Sequence, residues 1–347
     1  MKKKILYLIN PISGTRGKDA VAELVISLTN RDRYDMEVLH TQHAGHATEL
    51  TRKAVGNGTD IVVAVGGDGT VNEVAAALTD TPAALGIVPC GSGNGLARHL
   101  CIPMDTAKAV EIINRGEVHT LDYGTVNNRP FFCTCGVGFD AFISQKFAEA
   151  GRRGPLTYVE NTLLAGLRYK PQTYEIEDSA GRLCCRAFLI ACANASQYGN
   201  DALIAPHASM KDGLLDVVVM SPFNAIDAPQ VAMQLFNGTL PENSHVHTFK
   251  TDKLRIHRDG PGAAHCDGEP FLTGDVIEVK LHHKAFNAVV NPDVSAAKRD
   301  ETGKPLLQLL PDFFREWREL PESLLAKTGS DIRKMNRTIL GKLKLKG

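Results

Sequence analysis

Val65-Gly66-Gly67-Asp68-Gly69-Thr70-Val71-Asn72-Glu73 joins an apolar run, Ile61 to Val65, to a helix-forming run, Val71 to Leu78. A buried strand therefore meets a glycine-rich turn and becomes a helix. Glycines let the backbone turn tightly and let a ligand approach the bare main chain. The helix start offers unpaired N–H groups and the positive end of the helix dipole, which suits a phosphate. Asp68 is the discordant residue, because a carboxylate beside a phosphate is repulsive unless a cation such as Mg2+ lies between them. A lone Gly-rich turn is most often an ordinary connection in an α/β sheet. Gly-Gly-Asp-Gly-Thr followed by Asn-Glu is far more specific.

The same pattern repeats on either side. Lys4 to Asn10 is a short apolar strand ending at Asn10-Pro11-Ile12-Ser13-Gly14, with a helical pattern of Val21, Leu24, Val25 and Leu28 behind it. Met36 to His40 is a second strand, followed by Thr41-Gln42-His43-Ala44-Gly45-His46-Ala47 and a helix to about Val55. Ala84 to Val88 is a fourth strand, ending in Pro89-Cys90-Gly91-Ser92-Gly93-Asn94-Gly95. This βαβαβαβα alternation predicts a mainly parallel sheet with helices on both faces. Its polar turns all follow strands, so they gather at the carboxyl edge, where ligands of open α/β folds bind.

The texture changes after Gly116. Strand-like runs at His119–Val126, Phe131–Gly136, Tyr174–Glu177, Leu183–Ala193, Leu215–Met220, Lys253–His257 and Val276–Leu281 are separated by turn residues. Helical runs near Phe139–Ala150, Leu156–Leu167 and Ala225–Phe236 interrupt them. An antiparallel sandwich-type second domain is the expectation. The division is residues 1–122 for the nucleotide-binding α/β domain, 123–295 for the β-sandwich and 296–347 for a helical tail. In the tail, Leu306 to Leu325 reads as an apolar face packed on the body. Ile332 to Lys346 alternates apolar and basic residues. It has two readings, a basic amphipathic helix lying on an anionic membrane surface and a terminus that frays.

Composition bounds the class. The 347 residues are enough for two cores, and 43% apolar with 22% charged residues is ordinary for a globular protein. The formal net charge of zero gives no global field toward nucleic acid, and none is expected as a partner. No apolar run reaches the roughly 18–20 residues that span a bilayer. The opening Met-Lys-Lys-Lys-Ile-Leu-Tyr-Leu-Ile-Asn resembles a signal peptide but runs into Asn10-Pro11 without a small-residue cleavage site, so it reads as a strand. Eight cysteines, at 90, 101, 133, 135, 184, 185, 192 and 266, form no Cys-x-x-Cys pair and read as reduced thiols of a cytosolic protein.

Two sets of residues carry chemistry. Asn10 and Ser13, Thr41, Gly66 to Asn72 and Gly91 to Asn94 line four strand ends without a cluster of Lys or Arg. Phosphates there would be held by main-chain N–H groups, hydroxyls and a metal. Neither a G-x-x-x-x-G-K-[ST] loop nor a G-x-G-x-x-G opening the first helix is present. The second set is Cys266-Asp267-Gly268-Glu269, whose two carboxylates suit a general base and a metal ligand in phosphoryl transfer. Asp-Gly-Glu alone is a common surface turn. His282 and His283 read as exposed strand-end residues, and His43 and His46 as loop contacts rather than metal ligands.

Together these residues resemble the diacylglycerol kinase catalytic-domain family, which includes bacterial soluble lipid kinases, sphingosine kinases and ceramide kinases. The resemblance runs from about Lys4 to about Pro292. It rests on Asn10-Pro11-x-Ser13-Gly14, Thr41 with Gly45-His46-Ala47, Gly66 to Glu73, and Pro89 to Asn94. It continues through Gly138-Phe139-Asp140, Gly154 to Tyr158, Asn194 with Tyr198-Gly199, Ala205-Pro206 with Ala208, Asp212-Gly213-x-Leu215-Asp216, and Asp267-Gly268-Glu269.

The resemblance implies an ATP- and Mg2+-dependent lipid kinase with ATP in the cleft between an α/β domain and a β-sandwich. It implies that Asn10, Thr41, Gly66, Gly67, Asp68, Gly69, Thr70, Val71, Asn72 and Ser92 line the ATP site, and that Asp68 holds the metal–ATP network. It implies a structural Mg2+ beside Asp212 with main-chain oxygens of Ser209 and Leu214. Glu269 is the first choice for taking the proton from the lipid hydroxyl, with Asp267 orienting it or binding the catalytic Mg2+. Gly91-Ser92-Gly93-Asn94 is similar to the sphingosine-kinase branch, where an acid at the position of Asp140 pairs with the sphingoid amine. The plainer reading of Asp140 is a helix N-cap. The acceptor is thus diacylglycerol or a sphingoid base, and peripheral membrane contact from the cytoplasm follows from a lipid substrate. A homodimer is left open. The alternatives are an NAD kinase, which shares Gly-Gly-Asp-Gly but not the Asn10-Pro11 and Pro89–Asn94 features, and a non-catalytic nucleotide-binding regulator, which has no need of Asp68, Asp212, Asp267 and Glu269 together.

Overall fold

The computed structural model describes residues 2–11, 18–150, 169–224 and 226–293. The expectations placed on Ser13 and Gly14, on residues 154–167 and on the tail from 296 lie outside that range.

Four apolar runs form the parallel strands β1 (Lys3–Ile9), β2 (Tyr34–His40), β3 (Ile61–Gly66) and β4 (Ala84–Pro89), in the order β2-β1-β3-β4. Every residue of β3 and β4 is buried, so both faces of this sheet are covered. The cover is α1 (Lys18–Leu28), α2 (His46–Gly56), α3 (Asp68–Leu78), a single-turn α4 (Gly95–His99) and α5 (Thr106–Arg115). Local chemistry sets the ends of α5: Asp105 accepts the Lys108 N–H, and Gly116 closes the helix at φ 65°. Fully burying each of Ile5, Leu8, Val63, Leu85 and Ile87 contributes roughly 1.5–3 kcal/mol.

The second half adds β5 (Val118–Val126), β6 (Arg129–Phe131), β7 (Thr134–Gly138), α6 (Phe139–Ala150), β8 (Gln172–Asp178), β9 (Gly181–Ala187), β10 (Leu189–Ala193), β11 (Leu215–Met220), α7 (Ala228–Asn237), β12 (Val246–Thr251), β13 (Lys253–Arg258), β14 (Gly262–Cys266), β15 (Glu269–Thr273) and β16 (Val276–Val289). Six of these strands form an antiparallel sheet, β12-β11-β10-β7-β14-β15. It packs through Val137, Ile190, Cys192 and Val217 on Tyr174, Ile176, Ile256 and Ile277 of the other sheet. The sandwich is therefore present, with one addition. Its second layer is not separate, because β16, β13, β8 and β9 extend the first sheet beyond β4.

The long strand β16 makes that junction. Val276 to Lys280 pair antiparallel with β13, whereas Asn287 and Ala288 pair parallel with Ala84 and Leu85 of β4. Between them the register shifts, and Lys284 takes φ 50°. Fully buried Asp122 fixes this bulge: its Oδ1 accepts from His283 Nδ1 and Lys284 N, both at 2.8 Å. His282 stacks on Tyr123 with ring centroids 4.6 Å apart. The two histidines are thus parts of the bulge within β16 rather than strand-end residues, while His283 is exposed as expected.

Two expected strands break where the chain changes course. Leu183–Ala193 divides at Phe188, which lies between β9 in one sheet and β10 in the other. Phe131–Gly136 divides likewise into β6 and β7. Both breaks fall in continuous apolar sequence because the six-stranded sheet is buried on both faces: Phe188, Ala191, Val218 and Met220 face Val231 of α7 and its flanking loops.

Candidate active site between two glycine loops and an acidic turn

Four βα turns meet at the carboxyl edge of the parallel strands. Asn10 follows β1 and donates from Nδ2 to Thr70 Oγ1 at 2.9 Å, tying the first turn to the start of α3. A β-carbon on Gly66 would lie 2.6 Å from that same hydroxyl oxygen, so only glycine fits beneath Thr70. Gly67 and Gly91 meet main chain to main chain: a β-carbon on Gly91 would lie 2.7 Å from Gly67 Cα. The loops after β3 and β4 are thereby in direct contact. Thr41 is buried after β2, and its N–H donates to Ile9. Ser92 is exposed, whereas Val71 turns into the hydrophobic core. Only the main chain of Val71 is left to face a ligand.

Asp68 lies at the first position of α3, but its carboxylate leaves that helix. Oδ2 accepts the Asn94 N–H at 2.9 Å and Oδ1 the Gly95 N–H at 2.8 Å, so Asp68 caps α4. Among the described residues no side chain caps α3 itself. Its eleven residues present an open, dipole-positive N-terminus to the cleft.

The acidic turn faces this terminus from β15. A β-carbon on Gly69 would be 3.6 Å from Glu269 Oε1. Lost hydration raises the Glu269 carboxyl above its ordinary range, the nearby Glu73 carboxylate raises it further, and Arg129 opposes both. Glu73 is held there by Gly45 N at 2.8 Å and Ala47 N at 3.1 Å, which it accepts at the start of α2. Asp267 has a different environment. Its carboxylate accepts the N–H groups of Phe132, Cys133 and Thr134 at 2.8, 2.8 and 2.9 Å. Burial pushes it up to about 6, while those three donors hold it down. Asp267 is committed to the β6–β7 connection, and Glu269 is the carboxylate left facing the cleft.

Behind the turn lies a buried network that the sequence did not disclose. Asp140 is the second residue of α6, inside the helix rather than at its N-cap, and its Oδ1 accepts the N–H of its neighbour Ala141 at 2.8 Å. Its Oδ2 lies 3.0 Å from His265 Nε2 and 3.2 Å from Tyr198 OH. The side chains of His265 and Asp140 are 1% and 8% exposed. Gly136 leaves room for this contact, since a β-carbon there would fall 2.4 Å from Asp140 Oδ2. His265 Nδ1 in turn lies 3.4 Å from the Gly268 N–H, so the imidazole links Asp140 to the acidic turn. A histidine two residues before Asp267 in an apolar strand was the available signal.

The turn with Ser209, Asp212 and Leu214 lies beside β12. Asp212 Oδ2 pairs with Lys250 Nζ at 2.8 Å and Oδ1 accepts the Leu214 N–H at 3.1 Å. Ser209 Oγ accepts the Lys211 N–H at 3.3 Å. A second cluster, His43, His46 and Glu49, brings its ligand atoms within 4.8 Å of one another. His46 Nδ1 there accepts the Gln42 N–H at 3.0 Å, which puts the ring proton on Nε2 and leaves no lone pair for a metal. His46 thus makes a loop contact, and His43 Nδ1 lies 3.0 Å from Ala44 O in the same loop. Among the described residues no helix is long and apolar enough to cross a membrane.

Comparison with known proteins adds the following. Residues 4–126 match the diacylglycerol kinase catalytic domain, and residues 133–280 match the YegS C-terminal NAD kinase beta sandwich-like domain. The chain is 29% identical over 304 residues to a "Probable lipid kinase YegS-like" protein of Pectobacterium atrosepticum, covering 85% of this chain and 99% of that one. It is 26% identical over 319 residues to the diacylglycerol kinase of Bacillus subtilis, covering 86% and 100%. A solved diacylglycerol kinase structure from Bacillus anthracis superposes with a TM-score of 0.66 at 20% identity, covering 84% and 98%, which speaks to fold alone.

Proposed function

Because the chain belongs to the diacylglycerol kinase catalytic-domain family, we propose that it transfers the γ-phosphoryl group of ATP to the hydroxyl of a neutral lipid, diacylglycerol, giving a phosphate monoester and ADP. The observation that carries this reading is the open N-terminus of α3 facing Glu269 across Gly69. The α3 terminus and the main-chain N–H groups of Ser92 and Gly93 bind phosphate oxygens, since those of Gly91, Asn94 and Gly95 already donate within the loops. Glu269 takes the proton of the attacking hydroxyl, and its raised affinity for protons suits a base better than an ordinary surface carboxylate. Asp68 keeps a free lone pair on each oxygen beside its main-chain partners and would hold Mg2+, directly or through water. When bound, Mg2+ supplies positive charge between carboxylates and phosphates. Asp267 holds the turn rather than the proton.

The choice of a neutral acceptor rests on Asp140. Its outer oxygen is shared by His265 and Tyr198 and its side chain is 8% exposed, which disfavours pairing with a sphingoid ammonium. The test is transfer from radiolabelled ATP across diacylglycerol, monoacylglycerol, ceramide and sphingosine in mixed micelles, with NAD as a further acceptor. Label in diacylglycerol that requires Mg2+ supports the reading. Label confined to sphingosine or to NAD, or no transfer to any acceptor, overturns it.

A further inference from the structure

The family resemblance implies a structural Mg2+ beside Asp212, and the residues present do not fit one. We propose that the ammonium of Lys250 is the resident cation of this turn, and that the second domain of this chain carries no structural divalent metal.

The placement of Lys250 follows from strand register. In the β11–β12 ladder Asp216 lies directly opposite Lys250, so the lysine stem starts beside one carboxylate of the Asp212-Gly213-Leu214-Leu215-Asp216 segment. Its Nζ bridges both acids, 2.8 Å from Asp212 Oδ2 and 3.1 Å from Asp216 Oδ2. The Asp216 side chain is only 14% exposed, and among the described residues no hydrogen-bond donor other than that ion pair reaches its Oδ2. Without the ammonium, Asp216 would be a nearly buried, uncompensated charge.

Two further polar groups of the turn are also engaged. Asp212 Oδ1 takes the Leu214 N–H, and Gly213 donates to Asp122 Oδ2 at 2.9 Å. Mg2+ demands near-octahedral oxygens at about 2.0–2.1 Å, and Ca2+ takes oxygens at about 2.3–2.6 Å. Either ion on Asp212 Oδ2 would stand next to the ammonium already bound to that oxygen, and like charges at such range repel strongly. One lysine therefore bridges both acids, offsetting one of their two negative charges, and closes the turn on β12. This inference does not depend on which lipid is phosphorylated.

The experiment uses the purified full chain without nucleotide. After passage through chelator and desalting, metal content is read by mass spectrometry, and thermal unfolding is compared in EDTA and in millimolar Mg2+ or Ca2+. The expected result is no retained divalent metal and the same Tm in all three. Lys250→Met should lower Tm by roughly 2–6 °C, and Lys250→Arg, which keeps the charge, should recover most of it. A divalent ion retained at one per chain, with a Tm that falls in EDTA, overturns the proposal. So does a Lys250→Met chain as stable as the parent, because the ammonium would then not be the cation of the turn.

Discussion

Asp68 reaches out of its own helix to accept the main-chain N–H of Asn94 at 2.9 Å, and that contact, with its twin to Gly95, joins the loops after β3 and β4 into one surface. The acid that looked misplaced beside a phosphate site is thus a loop fastener as well as a candidate metal holder. Asp68→Ala leaves two N–H groups at the start of α4 without their acceptor. Stability should fall by about 1–3 kcal/mol in urea unfolding, short of unfolding the protein, and lipid phosphorylation should be abolished. Asp68→Asn keeps one acceptor and should recover part of the stability but little of the activity. Full turnover in Asp68→Ala would remove the residue from the site.

Glu269 and Asp267 separate by environment, and their variants should separate too. Glu269→Gln keeps shape and removes the base, so turnover should drop roughly 10²–10⁴-fold with an unchanged unfolding midpoint. Asp267→Ala unfastens Phe132, Cys133 and Thr134 and should lower the midpoint as well as the rate. A Glu269→Gln enzyme with near-parental kcat would refute the base assignment.

The acid limb of the pH–rate profile tests the same residue without removing it. As the proposed base, Glu269 would work only when ionised, so kcat/KM should fall as pH drops through its pKa, and that pKa is raised. Arg129 is the opposing charge; its guanidinium lies 4.7 Å over the Phe271 ring on the strand that carries Glu269. Arg129→Gln removes a cation that favours the carboxylate. The limb should move to higher pH, with the alkaline plateau kept. A limb that stays in place, or moves down, contradicts this electrostatic account.

How much of this was legible follows from where the information lies. The four strand-end turns could be placed because a parallel sheet sends every βα turn to one edge, and the pattern of Ile61–Leu78 alone gives strand, turn and helix. The commitment of Asp267 could not be read, since its three partners are main-chain groups 133–135 residues away. Arg129 and His265 carry no motif, and only pairing of β14 with β7 and β15 sets His265 against Asp140. Strand β12 was missed because Val246-His247-Thr248-Phe249-Lys250-Thr251 is an edge strand with few apolar residues. Lys250, which bridges Asp212 and Asp216, lies in that unread strand.

The contact between Gly67 and Gly91 gives the last prediction. A β-carbon on Gly91 would fall 2.7 Å from Gly67 Cα and 2.9 Å from Asn94 Oδ1, the atom that accepts Gly91's own N–H. The obstacle is main chain on one side and a buried asparagine on the other, so no flexible side chain can yield. Gly91→Ala must therefore part the two loops, and a shift of about 1 Å in phosphate-positioning groups costs roughly 10²-fold in rate. Gly56→Ala is the control: it sits in the last turn of α2 with open space around its β-position, and should leave turnover unchanged while stabilising by about 0.4–1 kcal/mol. Initial rates with saturating diacylglycerol and varied ATP distinguish the two, because the loop defect should raise the apparent KM for ATP together with the loss in kcat. Equal activity in the two variants would mean that the glycine contact shapes the fold but not the nucleotide site.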